Sequence, residues 1–293
     1  MQEFLTTREV AALLRVKERK IYELVSERAI PVSRMTGKLL FPRDLVDAWI
    51  RGSVDFAAGV DSLKAPPQVI AGSHDPLLEW AIRQSGCGLA SYFDGSLDGL
   101  ERVADGRALG AGMHVFEARN EQFNRAHVMA RMPGAPIVLI EFSRRSQGLV
   151  VAEGNPHGIA TIGDLRGRRF IPRQKDAGSY VLFEHLLETA TVARGDLDLI
   201  EPPARSEADV ALAVSNGKAD AGLAIESAAR QYRLDFVPLF NERYDLLIGR
   251  REYFEAPVQA LMGFLNSSTF VQRADEMTGY DTSGTGRVHF NGA

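Results

Sequence analysis

From Val69 onward the chain alternates short apolar runs with amphipathic stretches, and this alternation limits the possible folds more than any other feature. Val69-Ile70-Ala71, Leu89 to Phe93, Ala108 to Met113, Ile137 to Ile140 and Gly148 to Ala152 read as separate strands. After the first, Leu77, Leu78, Ala81 and Ile82 share one helical face, and a further helix is expected from Leu97 to Asp105. Strands alternating with helices predict parallel β-α-β units, which bind ligands at the carboxyl ends of their strands.

The first 52 residues follow a different pattern. Thr6 with Glu9 forms a capping box with Leu5 as a hydrophobic staple, and Phe4 to Glu9 opens a helix whose predicted buried stripe is Val10, Leu13 and Leu14. A second helix runs from about Lys17 to Glu27 on Ile21, Leu24 and Val25. Val32 to Phe41 reads as two short strands around Thr36-Gly37, and a third helix begins at Pro42 with Leu45, Val46, Trp49 and Ile50 inward. Residues 1–52 hold ten Lys/Arg against seven Asp/Glu, whereas the remainder holds 24 against 31. A basic head on an acidic body suits a DNA reader attached to a unit that should not bind DNA. Lys17, Arg19 and Lys20 lie off the apolar stripe and Tyr22 adds a phosphate contact, while Arg34 and Lys38 flank the wing turn. At any single one of these positions a solvated charged face would look the same.

Residues 3–51, in the order helix, turn, helix, wing, helix starting at Pro42-Arg43-Asp44-Leu45, resemble the excisionase-type, MerR-like winged helix-turn-helix. Gly52, Ser53, Gly59 and Pro66-Pro67 mark residues 53–67 as a linker. Residues 148–171 resemble the passage from the first lobe to the second in type II periplasmic binding proteins, and residues 218–239 their later strand-helix-strand. The closing stretch Gly279 to Gly286 also resembles that family's ending. The resemblance implies an α/β chain with a winged helix-turn-helix at 1–52 and a two-lobed binding-protein-like domain at 68–293, its second lobe about 150–238. It further implies a cytoplasmic one-component transcription regulator that binds double-stranded DNA as a homo-oligomer. Its sensor is nearest in style to molybdate-type oxyanion-binding proteins.

Three strand-to-helix junctions carry small polar residues: Ser73 and His74, then Asp94 and Ser96, then Gly178 and Ser179. Free N–H groups at a helix start attract anions, although plain N-capping uses the same residue types. Arg145, at the expected hinge, and Arg173 are candidate carboxylate clamps or else surface or interlobe ion pairs; Glu226 and Tyr244 complete the candidate pocket. Arg144 stands where the family carries an aromatic, and Asp176-Ala177-Gly178-Ser179-Tyr180 where it carries Gly-Ser-Gly-Thr-Arg; both departures are expected to line the pocket. Two ligands follow: a molybdate- or tungstate-type oxyanion held by hydroxyls, or a small organic carboxylate held by arginines.

Several classes are set aside. The single Cys87 precludes an intramolecular disulfide and fits a reducing compartment. The opening residues lack the basic and apolar regions of a secretory signal, and no apolar run approaches the ~18 residues of a membrane span. His74, His114, His127, His157, His185 and His289 show no metal-ligand spacing, and no nucleophile motif stands out, so neither metal, cofactor nor enzymatic activity is expected. An enzyme on the same fold remains the rival reading.

Overall fold

The computed structural model describes residues 4–34, 37–52 and 65–292. It divides into two compact units, Met1–Leu63 and Lys64–Ala293.

The first unit contains β1 (Phe4–Thr6), α1 (Thr7–Leu14), α2 (Glu18–Ser26), β2 (Leu40–Pro42) and α3 (Arg43–Gly52). The Thr6/Glu9 capping box is present: the Thr6 hydroxyl accepts from Glu9 N at 3.4 Å and Glu9 Oε2 accepts from Thr6 N at 2.7 Å. At the end of α1, Arg15 takes a left-handed conformation (φ 54°) and Val16 N donates to Ala11 O at 2.9 Å. This turns the chain into α2 within three residues. Leu5, Val10, Ala11, Ile21, Val25, Ile30, Phe41 and Val46 form the core. Two expectations are corrected. Phe4–Thr6 is a strand rather than a helix entry, antiparallel to β2, because Leu5 lies opposite Phe41 and both are buried by the pairing. Leu13 and Leu45 face outward at 41% and 50% exposure, since the α1 stripe is centred on Val10 and Ala11 and the α3 stripe on Val46. In the wing, Ser33 and Leu40 exchange backbone hydrogen bonds at 2.7 and 3.0 Å. The turn residues Met35 and Thr36, and most of the expected linker, lie outside the described residues.

The second unit opens with β3 (Val69–Gly72), α4 (Pro76–Gln84), β4 (Ala90–Phe93), α5 (Ser96–Ala104) and β5 (Gly110–Met113). It continues through β6 (Phe116–Glu117), β7 (Gln122–Phe123), α6 (Arg125–Arg131), β8 (Ile137–Val151), β9 (Arg169–Ile171) and α7 (Gly178–Thr189). Then come β10 (Asp198–Leu199), α8 (Glu207–Ser215), β11 (Ala221–Ile225), α9 (Glu226–Gln231) and β12 (Asp235–Gly249). α10 (Ala256–Leu265), α11 (Ser268–Met277), β13 (Tyr280–Asp281) and β14 (Val288–Asn291) close the chain. One sheet runs β10-β9-β11-β8-β12-β5-β3-β4, with β13 and β14 also on β8.

β3, β4 and β5 are parallel, as are β9, β10 and β11, but β8 and β12 run antiparallel to each other and to their neighbours. The two strands expected at 137–140 and 148–152 are therefore one 15-residue strand, β8, partnered by the equally long β12. The polar run Arg144 to Gln147 does not break it, because Ser143, Arg145 and Gln147 point into the protein while Arg144 points out. These two strands join the lobes. The first lobe packs its core on Ile70, Leu78, Phe142, Leu246 and Leu261, the second on Leu149, Phe170, Leu182 and Leu223. Cys87 lies in the loop after α4 and is buried, its Sγ 3.5 Å from Ile82 O. Among the described residues no helix is long and apolar enough to cross a membrane.

Candidate functional site

In the first unit, α2 begins at the Lys17 cap, and Lys17, Arg19, Lys20 and Tyr22 are all exposed. Arg19 and Lys20 both lean on Glu23, at 3.2 Å each. Lys38 is exposed beside the wing turn, and Arg34 reaches back to Val25 O at 3.4 Å.

In the second unit, the carboxyl ends of β3 and β5, the middles of β8 and β12 and the starts of α5 and α7 meet in one buried polar cluster. His114, immediately after β5, is its node. Its Nε2 lies 2.8 Å from Ser73 Oγ, at the end of β3, and its Nδ1 lies 2.7 Å from Glu242 Oε2 of β12. Its backbone N donates to Ser96 Oγ, at the start of α5, at 3.3 Å. The start of α7 presses on it from the other lobe: a side chain at Gly178 would come within 2.8 Å of its carbonyl oxygen. Neither α5 nor α7 has a side-chain cap, since Gly95 and Ala177 occupy the cap positions. Of the N–H groups in these first turns, Leu97 N donates to Asp176 O and Tyr180 N to Ala177 O, at 3.1 Å each.

Arg145 of β8 donates to Asp75 Oδ2 at 2.8 Å and, through its other terminal nitrogen, to Glu242 Oε1. Gln147 donates to the same Glu242 oxygen at 3.1 Å, and the Tyr280 hydroxyl of β13 donates to Asp75 Oδ2 at 2.9 Å. The Tyr244 ring lies 4.5 Å from the Arg145 guanidinium and stacks on His114, while its hydroxyl donates to Ser73 O. Gly112 is needed there, because any side chain would collide with that hydroxyl. Burial opposes charge on Glu242, but Arg145, His114 and Gln147 outweigh it and hold the carboxyl down to about 2. Burial also opposes charge on Arg145; Glu242 and Asp75 outweigh it and raise the guanidinium's pKa. Burial, with Asp75 adding, pushes the Tyr244 and Tyr280 hydroxyls well up. Ser179 Oγ, Arg145 Nε and Gln147 Oε1 are buried with no hydrogen-bond partner.

The fold thus brings Ser73, Ser96, Gly178, Arg145 and Tyr244 together, and Ser179 follows Gly178 at the buried start of α7. The other candidates have different partners. His74 turns to Glu79 at 3.2 Å. Asp94 accepts from Gln174 at 3.0 Å and from Arg205, so it ties the first lobe to the second. Arg173 holds Glu207 at the start of α8 and Arg205 O. Glu226 sits against Gly279 and Arg230. Arg144, expected in the pocket, is half exposed and pairs with Glu141 at 3.3 Å, and Tyr180 lies 5.4 Å from the Arg194 guanidinium.

Sequence reasoning missed Asp75, His114, Gln147, Glu242 and Tyr280. His114 carries the signal used for Ser73, a polar residue directly after a strand, and Gln147 lies two residues beyond Arg145 on the same strand face. Asp75 reads only as the α4 cap, which it also is, accepting from Leu78 N at 2.7 Å. Two surface cavities, of about 550 Å³ beside Ile200, Pro202 and Leu212 and about 580 Å³ beside Leu97, His127 and Arg131, contain none of these residues. Convergent chemistry rather than volume therefore marks the site.

A helix-turn-helix domain family matches residues 4–53, and the PBP superfamily domain matches residues 78–266. The Uncharacterized protein YvgK of Bacillus subtilis (strain 168) is 29% identical over 97% of this chain and 96% of its own length. An uncharacterized protein from the 5′ region of a ferredoxin 2Fe-2S gene of Clostridium pasteurianum is 31% identical over 40% of this chain and 85% of its own. Among solved structures, a phosphate transporter substrate-binding protein from Clostridium perfringens superposes with a TM-score of 0.52 at 9% identity, covering 71% of this chain and 96% of that one. The two lobes joined by β8 and β12, the polar cluster where those strands pass between them, and the match over residues 78–266 agree: the chain belongs to the PBP superfamily domain family, with a helix-turn-helix segment in front.

Proposed function

We propose that this protein is a cytoplasmic, homo-oligomeric transcription regulator whose helix-turn-helix unit binds DNA and whose two-lobed domain senses a small oxyanion of the molybdate or tungstate type. The observation that carries the ligand reading is the convergence of Ser73, Ser96 and Gly178 on His114, with two helix starts that lack side-chain caps and the buried, unpartnered Ser179 hydroxyl and Arg145 Nε. Hydroxyls and N–H groups hold an oxyanion without a formal counter-charge. The carboxylate reading is weaker. A bidentate clamp needs free terminal nitrogens, and Arg145 and Arg173 both already hold internal carboxylates. The test is a thermal-shift screen of the full chain against molybdate, tungstate, sulfate and small carboxylates, where 100 times the dissociation constant adds about 2.7 kcal/mol. Stabilisation by carboxylates alone would reject the oxyanion reading.

One observation favours an enzymatic reading: Ser73, His114 and Glu242 stand in hydrogen-bond order as hydroxyl, imidazole and carboxylate. Glu242, however, also holds Arg145 and Gln147, which reduces its pull on an imidazolium. Treatment with a fluorophosphonate should leave Ser73 unlabelled, and a stoichiometric Ser73 adduct would establish the enzyme instead.

A further inference from the structure

The hydrogens of the cluster can be assigned one by one. Glu242, ionised and accepting from Arg145 and Gln147, offers His114 Nδ1 only an acceptor, so Nδ1 carries a proton whatever the charge of the ring. A neutral His114 therefore has its lone pair on Nε2, 2.8 Å from Ser73 Oγ. Ser73 has a single hydroxyl hydrogen and must donate it there, leaving an incoming anion only oxygen lone pairs. A protonated His114 reverses this bond: Nε2–H donates to Oγ, and the hydroxyl hydrogen is released toward the ligand.

Charge points the same way. Asp75 accepts from Arg145, Tyr280 and Leu78 N, as a carboxylate does, so Asp75 and Glu242 share one guanidinium, that of Arg145. With His114 neutral the cluster carries one excess negative charge, which a dianion would meet at close range. The groups around the ring are Ser73 from the β3 end, Glu242 and Tyr244 from β12, Ser96 from α5 and Gly178 from α7, with Arg145 of β8 behind Glu242.

We propose that the site binds an oxyanion together with one proton, and that this proton resides on His114, where it turns the Ser73 hydroxyl from the histidine to the ligand. The inference rests on the oxyanion reading above and adds a determinant to it: affinity is set by pH as well as by anion concentration. Because the ring is charged in the complex and neutral in the free site, affinity rises as pH falls. It weakens by about tenfold per pH unit wherever binding takes up one proton.

The test is calorimetry of the full chain with sulfate and with molybdate, which both stay dianionic through the neutral range. Measuring in buffers of different ionisation enthalpy makes the slope of observed heat count the protons taken up. About one proton per bound anion is expected in the wild type and none in His114→Gln, whose affinity should also lose its pH slope. Should His114→Gln fail to fold, the wild-type proton count at two pH values decides alone. Anion binding with no proton uptake would overturn the proton step and leave the oxyanion reading standing. Uptake that persists in a folded His114→Gln would overturn the assignment to His114. A wild type that binds neither anion would overturn the oxyanion reading and this inference with it.

Discussion

In the helix-turn-helix unit the charges stand in solvent: the Arg19 and Lys20 side chains are 89% and 52% exposed and both lean on the same Glu23. In the binding unit the Arg145, Asp75 and Glu242 side chains are exposed by at most 1%, and each meets its partner inside the protein. The residue types are similar and the energetics opposite. An exposed pair trades hydration for weak, screened attraction, so its members can change with little effect on folding. A buried pair has lost its hydration, so removing one member leaves a charge with nothing to replace the loss. The first unit can therefore vary its surface to suit a DNA sequence. The second keeps its charges paired in the interior, where each depends on its partner.

The largest effect should follow from breaking the buried set. Glu242→Gln leaves Arg145 and His114 without their shared carboxylate and should destabilise the binding unit by about 3–5 kcal/mol in urea unfolding. Glu242 also predicts a pH dependence. Its carboxyl is lowered from 4.5 to about 2 in the folded protein, so its stabilisation is complete above pH 4.5 and is lost as pH falls toward 2. The wild type should lose stability across that window more steeply than Glu242→Gln. Equal stability of the two proteins at neutral pH would mean that the cluster is hydrated in solution, and the contrast between the units would fail.

The same contrast explains how far the sequence could be read. In the first unit side chains a few residues apart make the structure, so the Thr6/Glu9 capping box and the Ile21/Val25 stripe were legible. The β1–β2 pairing was not, because Leu5 and Phe41 are 36 positions apart. In the second unit the strand-to-helix junctions showed Ser73, Ser96 and Ser179, each being a local pattern. Glu242 was illegible: it stands between polar Asn241 and charged Arg243, and only pairing with Arg145, 97 positions away, explains a carboxylate inside a strand. For the same reason Arg145 and Arg173 were recognised as functional types while their internal partners were not.

The middle effect concerns ligand affinity. Ser73→Ala, Ser96→Ala and Ser179→Ala should each weaken oxyanion binding by about 1–3 kcal/mol, the usual loss for a hydrogen bond to a charged group, or roughly five- to 150-fold. Arg173→Ala should change affinity by less than about threefold while lowering stability, since it strands Glu207 at the start of α8. If Arg173→Ala instead weakened binding more than any serine substitution did, the anchor would be a guanidinium and the ligand a carboxylate.

The smallest effect on folding should come from the exposed face of α2, where the effect on function is nonetheless large. Replacing Lys17, Arg19 and Lys20 together by Ala removes two ion pairs to Glu23, a small loss at such exposure. It also removes cations from the first turn of α2, where the helix dipole disfavours them, a small gain. Alanine is the best helix former, and the buried Ile21 and Val25 are untouched. These changes nearly cancel, so unfolding of the first unit should stay within about 0.5 kcal/mol of the wild type. DNA affinity should collapse over the same substitutions. Each cation withdrawn from a phosphate lowers the slope of log affinity against log salt by about 0.9, so the slope should fall by up to about 2.7 in a mobility-shift titration. Unchanged DNA binding in a folded triple variant would move the interface off α2, and would leave the wing residues Arg34 and Lys38 as the next positions to test.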